Sequence, residues 1–589
     1  MRIKLFFGLA VLAAMTASCS SNNDLVGGGN GSGENVSGES YASITIDLPT
    51  TSGTRAANDD FNEGTASEYA VNDATLLIFE KDGSSENEYK FVEQASLGNL
   101  EPWKKDNDAN GITTEATITA KLNKATVGNN NYYALVILNN KDKNDADKVT
   151  LPTGTTTYGE WNVAANATET KLVDNTKGFY MANAPEFKAA DQEPTTLVPI
   201  TGIYRTKEEA HSKPGTTVHV ERGLAKVTVG KGTGKDYFTG AKASGSKYSN
   251  DDVTITKWAL DVTNKSSFPV HVTAGLKDGV TSTSQTVPAY TDIWQNAVAT
   301  PGTKPATSRF VSQLSATGAF KRVYWGIDPN YSKSLTAKDA CGQEFTLVKA
   351  DGSDADWKTS TEPLYCLENT FDITHMLQGQ TTRVLLKATY TPNAVASETD
   401  KTFFMIGNSS DIWTTTTLKA QIASKAKDAL GLTTDPKVEL KEDLLKGGTH
   451  FLTTENVSIK DGETEKVNTA GLVATLNKKL GLDETNGVGI KTYENGESYY
   501  IARIKHFGDD LTPWKEGNDT YDGNNLNWLG RYGVLRNNWY DLTIEKISGP
   551  GYPDVPEVKP ETPDDEDTKY INVSVKILDW AKRSQSVEL

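Results

Sequence analysis

The sequence predicts a mainly β protein, built as two antiparallel β-sandwich domains with a helical insertion in the second. Two observations carry this. Short segments alternating apolar and polar residues recur along the chain between turn-forming clusters, the pattern of strands that present one face to a core. Only between residues 415 and 486 does the apolar period lengthen to that of helices. With 589 residues the chain exceeds what one core holds.

The first 19 residues have the form of a lipoprotein signal. Arg2 and Lys4 give the charged end, Leu5 to Met15 a short apolar core, and Thr16, Ala17 and Ser18 the small residues before Cys19. Thr16 stands where leucine is more usual. Cys19 is the expected lipidation site, with cleavage before it. Residues 20–55 then form a propeptide: a flexible Gly/Ser/Asn tether followed by a strand. In the strand Ile44, Ile46 and Leu48 alternate with Ser43, Thr45 and Asp47, and Pro49 ends it. Arg55 is the first basic residue after Lys4 and sits in small, polar surroundings open to a protease. A cut between Arg55 and Ala56 releases everything upstream, including that strand. The plainer alternative for the two ends of the chain is a signal, a disordered spacer and an ordinary last strand.

The expected N-terminal sandwich covers 56–215. ATLLIFEK (74–81), TEATITAKL (114–122) and YYALVILNN (132–140) are its clearest strands, the last apolar at nearly every position and so covered on both faces. The Lys213-Pro214-Gly215 break marks a boundary, and VHVERGLAKVTVG (218–230) is expected as one long strand opening a C-terminal sandwich over 216–553. Inside it, Leu418, Ile422, Ala426 and Leu430 share one helical face, as do Leu472, Leu476 and Leu480, with Gly431 and Gly481 as stops; they define the insertion 415–486. Residues 554–567 are expected as an extended proline-acid linker. The tail 568–589 carries one more strand pattern, Ile571, Val573, Val575 and Ile577. A removable strand at one end and a spare one at the other suggest subunits that complete each other.

A net charge of −17 argues against nucleic acid as a partner, because its phosphates would be repelled. Besides Cys19 there are only Cys341 and Cys366, either a disulfide in an oxidising compartment or two free thiols. The six histidines, His211, His219, His271, His375, His450 and His506, show no zinc-binding spacing. GKGTGKD (230–236) lacks the spacing and the hydroxyl of a phosphate loop. DNDANG offers oxygens at Asp106, Asp108 and Asn110, a weak calcium candidate, since Thr117 stands where the closing glutamate belongs. Nothing points to a catalytic set, a resident metal or a cofactor, so the expectation is a protein that is not an enzyme.

YCLENTF (365–371), VYWGIDPNY (323–331), VERGLAKV (220–227), GVLRNNWYDLTI (533–544) and the tail INVSVKILDWAKRSQSVEL resemble the minor-fimbrium, Mfa-type fimbrillins of Bacteroidetes, the subunits of type V pili. The resemblance implies two transthyretin-like sandwiches, export as a lipoprotein, and removal of the N-terminal strand by an arginine-specific protease. The vacated groove is then filled by the C-terminal strand of a neighbouring copy. It also implies tip and anchor fimbrial subunits as partners and a location on the cell-surface fimbrium, the precursor being lipid-anchored at the outer membrane. The surface ligand, host or bacterial, stays unassigned. A tip or accessory adhesin, or a surface glycan-binding lipoprotein or hydrolase using some of the eleven tryptophans, are the alternatives. The full donor tail favours a shaft subunit.

Overall fold

The computed structural model describes residues 39–48, 65–98, 115–141, 143–187, 194–273, 281–282, 285–286, 322–506, 530–563, 571–578 and 583–584. The chain is mostly β-sheet. Its first eight strands are β1 (Ser40–Asp47), β2 (Ala74–Glu80), β3 (Lys90–Ser96), β4 (Glu115–Leu122), β5 (Tyr132–Leu138), β6 (Met181–Asn183), β7 (Val198–Pro199) and β8 (Thr216–Arg222). They form one sheet in the order β3-β2-β5-β6-β8-β1-β4, with β7 beside β5. Apolar residues of β1, β2, β5 and β8, among them Ile44, Ile46, Leu76, Ile78, Val136 and Val218, share one core, so the sheet folds over on itself. Its two end strands are tied together. Glu93 of β3 accepts the backbone N–H groups of Asn123, Lys124 and Ala125, just past β4, each at 2.8 Å.

YYALVILNN is buried on both sides, as its unbroken apolar run requires. Leu135 and Ile137 turn away from the first core and pack with Leu77 and Phe79 against Tyr158 and Trp161, and against Leu224, Val270 and Leu367 of the second half. The two halves therefore share a buried apolar contact. The expected single strand 218–230 is divided. Residues up to Arg222 pair in the first sheet, while β9 (Leu224–Lys231) lies in another. The break falls at Gly223, where a Cβ would come within 3.1 Å of Leu172. A side chain at that turn would press on Leu172 and Tyr180, which would have to give by a few tenths of an ångström.

In the second half two sheets face each other. One holds Leu364–Leu367, β9, Trp539–Ile547, Ile571–Leu578 and Arg583–Ser584; the other holds Ala241–Lys242, Asp252–Asp261, Arg383–Thr391 and Glu497–Arg503. Val227, Val229, Leu542 and Ile544 from the first meet Ile255, Trp258, Leu386 and Tyr500 from the second, the packing of a sandwich. Not every pairing is antiparallel: β1 with β8, and β9 with Trp539–Ile547, run parallel.

Both expected helices of the insertion are present, Thr415–Leu430 and Leu472–Lys479, with Gly431 and Gly481 at φ of 65° and 74° in the left-handed region that favours glycine. The segment is not purely helical. Between them run Lys437–Leu440, Val457–Asp461 and Thr464–Glu465 as a small sheet. Leu418, Ile422, Leu472 and Leu476 make a separate core with Phe404, Ile406 and Ile490. The Phe403–Ile406 strand joins the two cores, because Phe403 and Met405 face the sandwich while Phe404 and Ile406 face the helices.

The start of the expected linker is docked, which composition did not foretell. Val555 and Val558 are buried in two satellite clusters. Arg383 donates to the Pro556 carbonyl at 2.6 Å, and Gln378 N–H donates to Thr562 O at 2.9 Å. Two valines among prolines and acids suffice: proline has little chain entropy to lose, and each valine finds a ready apolar pocket.

Candidate functional site

The site is the groove that β1 fills. β1 lies inside the sheet, antiparallel to β4 over its whole length and parallel to β8 from Ile44 to Asp47. Ala42, Ile44 and Ile46 are fully buried, and Leu48 nearly so. The other face is covered too. Ser43 and Thr45 are 3% and 6% exposed, where a half-buried strand was expected. The segment around the Lys207–His211 helix packs on this strand, and Gly215 passes close: a Cβ there would lie 2.4 Å from Thr45 Oγ1 and 3.0 Å from its backbone nitrogen. Thr45 Oγ1 also lies 2.9 Å from Thr117 Oγ1. Asp47, at the end of the strand, is only partly covered and sits 3.1 Å from His219 Nδ1.

Withdrawing such a strand would unpair β4 and β8 together and uncover Ile44, Ile46 and Leu48. Those three side chains contribute about 5–9 kcal/mol of burial. β1 is followed by residues 49–64, so Arg55 and Ala56 lie outside the described residues, as do Cys19 and the calcium candidates Asp106, Asp108 and Asn110. Thr117, the closing position of that loop, belongs to β4 and pairs with Thr45. Among the described residues no group of three or more metal-ligating side chains occurs. At Gly230–Asp236 the Thr233 N–H and Oγ1 both donate to the Glu545 carboxylate, which occupies the place an anion would need.

The tail strand Ile571–Leu578 is far from this groove in topology. It pairs antiparallel with Trp539–Ile547, matching Ile571, Val573, Val575 and Ile577 with Ile547, Ile544, Leu542 and Tyr540. Beyond it lies only the two-residue Arg583–Ser584 strand. The strand that the sequence offers as spare is thus paired on its own subunit. The strand is docked at the rim of the second sandwich, with one full ladder.

Cys341 and Cys366 are free thiols, so the disulfide option falls. Cys341 packs with Leu335 and Phe345, Cys366 in the main sandwich core, and burial raises the pKa of both. A thiol held neutral in an apolar core is unreactive.

Sequence reasoning missed the polar side chains between the halves, because their partners are distant in the chain. Glu68, wholly buried, lies 2.8 Å from Lys226 Nζ and accepts from Tyr365 OH, while Arg222 Nε donates to its carbonyl at 2.8 Å. Glu221 of β8 binds Arg322 Nη2 at 2.5 Å and lies 2.8 Å from His271 Nδ1. Burial by itself would raise the Glu221 carboxyl, but the charges of Arg322 and His271 outweigh it and bring it down to about 2. A carboxyl lowered from 4.5 lends stability that is complete above pH 4.5 and is lost as pH falls toward 2. Glu221→Gln is therefore expected to cost about 3–5 kcal/mol at pH 7, by leaving buried cations unpaired. It should also flatten the acid limb of the melting-temperature profile between those two pH values. An unchanged acid limb in the variant would refute the assignment.

Residues 491–586 match the family described as major fimbrial subunit protein type IV, fimbrillin, C-terminal. The sequence matches no curated protein. Among solved structures, a candidate cell adhesion protein from Parabacteroides distasonis is similar at 11% identity, over 92% of this chain and 98% of that one, with a TM-score of 0.38. The tip fimbrial protein Mfa3 from Porphyromonas gingivalis, truncated at its C-terminus, is similar at 11% identity over 92% of this chain and 100% of that one, with a TM-score of 0.26. A fimbrial assembly protein from Parabacteroides distasonis, at 11% identity, covers 60% of this chain and 95% of its own, with a TM-score of 0.22. The match to the fimbrillin C-terminal family thus covers residues 491–586, the segment that holds Glu497–Arg503, Trp539–Ile547 and the tail strand.

Proposed function

We propose that the protein is a structural shaft subunit of a surface fimbrium. It is exported as a lipoprotein through Cys19, cleaved between Arg55 and Ala56, and polymerised when the tail strand of one copy enters the β1 groove of the next. The division into removable strand, two sandwiches and donor tail follows the same reading. Its partners are other copies in a head-to-tail filament, tip and anchor subunits, and an arginine-specific protease.

The observation that carries this reading is the position of β1, an internal strand joined to the rest of its sheet only through 49–64. A cut in that connection frees a strand whose loss leaves two open ladders and an apolar trough, an acceptor for an extended segment. The docked tail supplies a direction. On its own subunit it has one full ladder; in a neighbour's groove it gains two, β4 and β8. Donor and acceptor are different surfaces, so the contact does not close on itself and builds filaments.

Arg55→Ala is expected to leave a longer, lipid-anchored precursor that stays monomeric, seen by N-terminal sequencing and by loss of the ladder on a gel. Normal fibres that retain the upstream segment would sink the proposal.

A further inference from the structure

We infer that the tail enters the groove in one register and one direction: Ser574 takes the place of Thr45, Val573 and Val575 those of Ile44 and Ile46, and the strand runs the same way as β1. This rests on the strand-exchange reading and narrows it to a single arrangement.

The groove is not uniform along its length. On the face toward the core it holds Ala42, Ile44, Ile46 and Leu48, a continuous apolar row. On the opposite face its demands change from position to position. Where Thr45 sits, Gly215 and Thr117 close in, and a side chain larger than threonine has no room. Where Ser43 sits the position is buried, but less tightly against Gly215: a Cβ there would lie 3.3 Å from Ser43 Oγ, against 2.4 Å from Thr45 Oγ1. Where Asp47 sits the groove opens to solvent beside His219 and accepts a charge.

The tail offers Ile571, Val573, Val575 and Ile577 for the apolar row, and Asn572, Ser574 and Lys576 for the other face. Keeping the apolar row inward restricts any slip to steps of two residues. With Ser574 at the Thr45 position and the strand running as β1 does, Lys576 falls at the open Asp47 position and Asn572 at that of Ser43. Slipping one step puts Lys576 against Gly215; slipping the other way puts Asn572 there. Reversing the strand about Ser574 places Lys576 at the Ser43 position, which is 3% exposed and opposite Thr119, where its charge would be out of water. The reversed strand slipped either way again brings Lys576 or Asn572 to Gly215. One arrangement seats the small hydroxyl in the tight place and leaves the lysine in water.

The pairing of β1 supplies the test. Thr45, Asp47 and Ser43 lie opposite Thr117, Glu115 and Thr119 of β4. Directly opposed antiparallel residues have Cα atoms about 4.5–5.5 Å apart, within reach of a disulfide. In the full-length chain, Thr117→Cys is combined in turn with Asn572→Cys, Ser574→Cys and Lys576→Cys. Each variant is cleaved by an arginine-specific protease, oxidised and run on a non-reducing gel. The Ser574 pair is expected to give a covalent ladder at least ten times stronger than the other two. Direction is read by Lys576→Cys, which should link to Glu115→Cys and not to Thr119→Cys. A ladder from Asn572 or Lys576 at position 117, or from Lys576 at 119, overturns the register while strand exchange stands. Fibres with no covalent ladder for any pair overturn strand exchange as well.

A size series tests the tight position without new thiols. Ser574→Thr is expected to polymerise as the parent does, and Ser574→Leu at least ten times more slowly. Equal rates for the two would refute the seating of Ser574 beside Gly215.

Discussion

A chain trimmed to residues 56–567, lacking both β1 and the tail, is expected to lose the cooperative melting of its first sandwich and to regain it with a peptide covering residues 570–580. The loss is large because β1 is internal. Its Ile44, Ile46 and Leu48 account for about 5–9 kcal/mol of burial, against the 5–15 kcal/mol by which a whole domain is typically stable. The unpaired edges of β4 and β8 add to it. Calorimetry should show one transition lost while that of the second sandwich persists, its core being drawn from residues 225–547. The peptide should restore the missing transition in proportion to its concentration, as expected for a ligand that binds only the folded state. The same peptide with Val573→Asp should fail, because it would bury an unpaired charge. A trimmed chain that melts like the precursor would show that β1 is dispensable and that its groove is no acceptor.

Deleting residues 568–589 from the intact precursor has the opposite expected signature. The protein should stay folded and lose polymerisation altogether. Its sheets keep β9 against Trp539–Ile547, and the docked segment up to Pro563 keeps Val555 and Val558 in place. The outer ladder of Trp539–Ile547 and the tail's contacts with Glu497–Arg503 are given up, so a drop of a few degrees in melting temperature is expected. After cleavage such subunits still carry an open groove. Mixed with the parent, they should cap fibres at one end and shorten them, measurable by electron microscopy. If the truncated precursor unfolds outright, the tail is an ordinary intramolecular strand and the exchange proposal fails.

The docked segment also shortens the tail's reach. Were the chain free from residue 554, fourteen extended residues would give about 43 Å. The described part of the segment, up to Pro563, is held at Gln378 and Arg383, and the seven residues 564–570 that separate it from the tail strand would span about 22 Å if extended. In a filament built as proposed, neighbouring subunits are therefore expected to approach closely, with the groove of one near the Leu377–Thr381 corner of the other.

The sequence by itself determined the β class, the alternation of β1 and of the tail, the double burial of YYALVILNN and the glycine stops of both insertion helices. Each of these is a local periodicity or a local backbone requirement, fixed by residues within a few positions of one another. Only the tertiary structure decided the rest. That Ser43 and Thr45 are buried depends on the segment from the Lys207–His211 helix to Gly215, up to 170 residues from Thr45, passing close to them. The split at Gly223 follows from pairing on one side with Met181–Asn183 and on the other with Leu364–Leu367 and Trp539–Ile547, and the partners of Glu221 lie at 271 and 322. The docking of Val555 and Val558 depends on pockets built by residues 262–501. Alternation records which way a side chain points, not what meets it there; that is settled when distant segments come together and compete for the same space and the same charges.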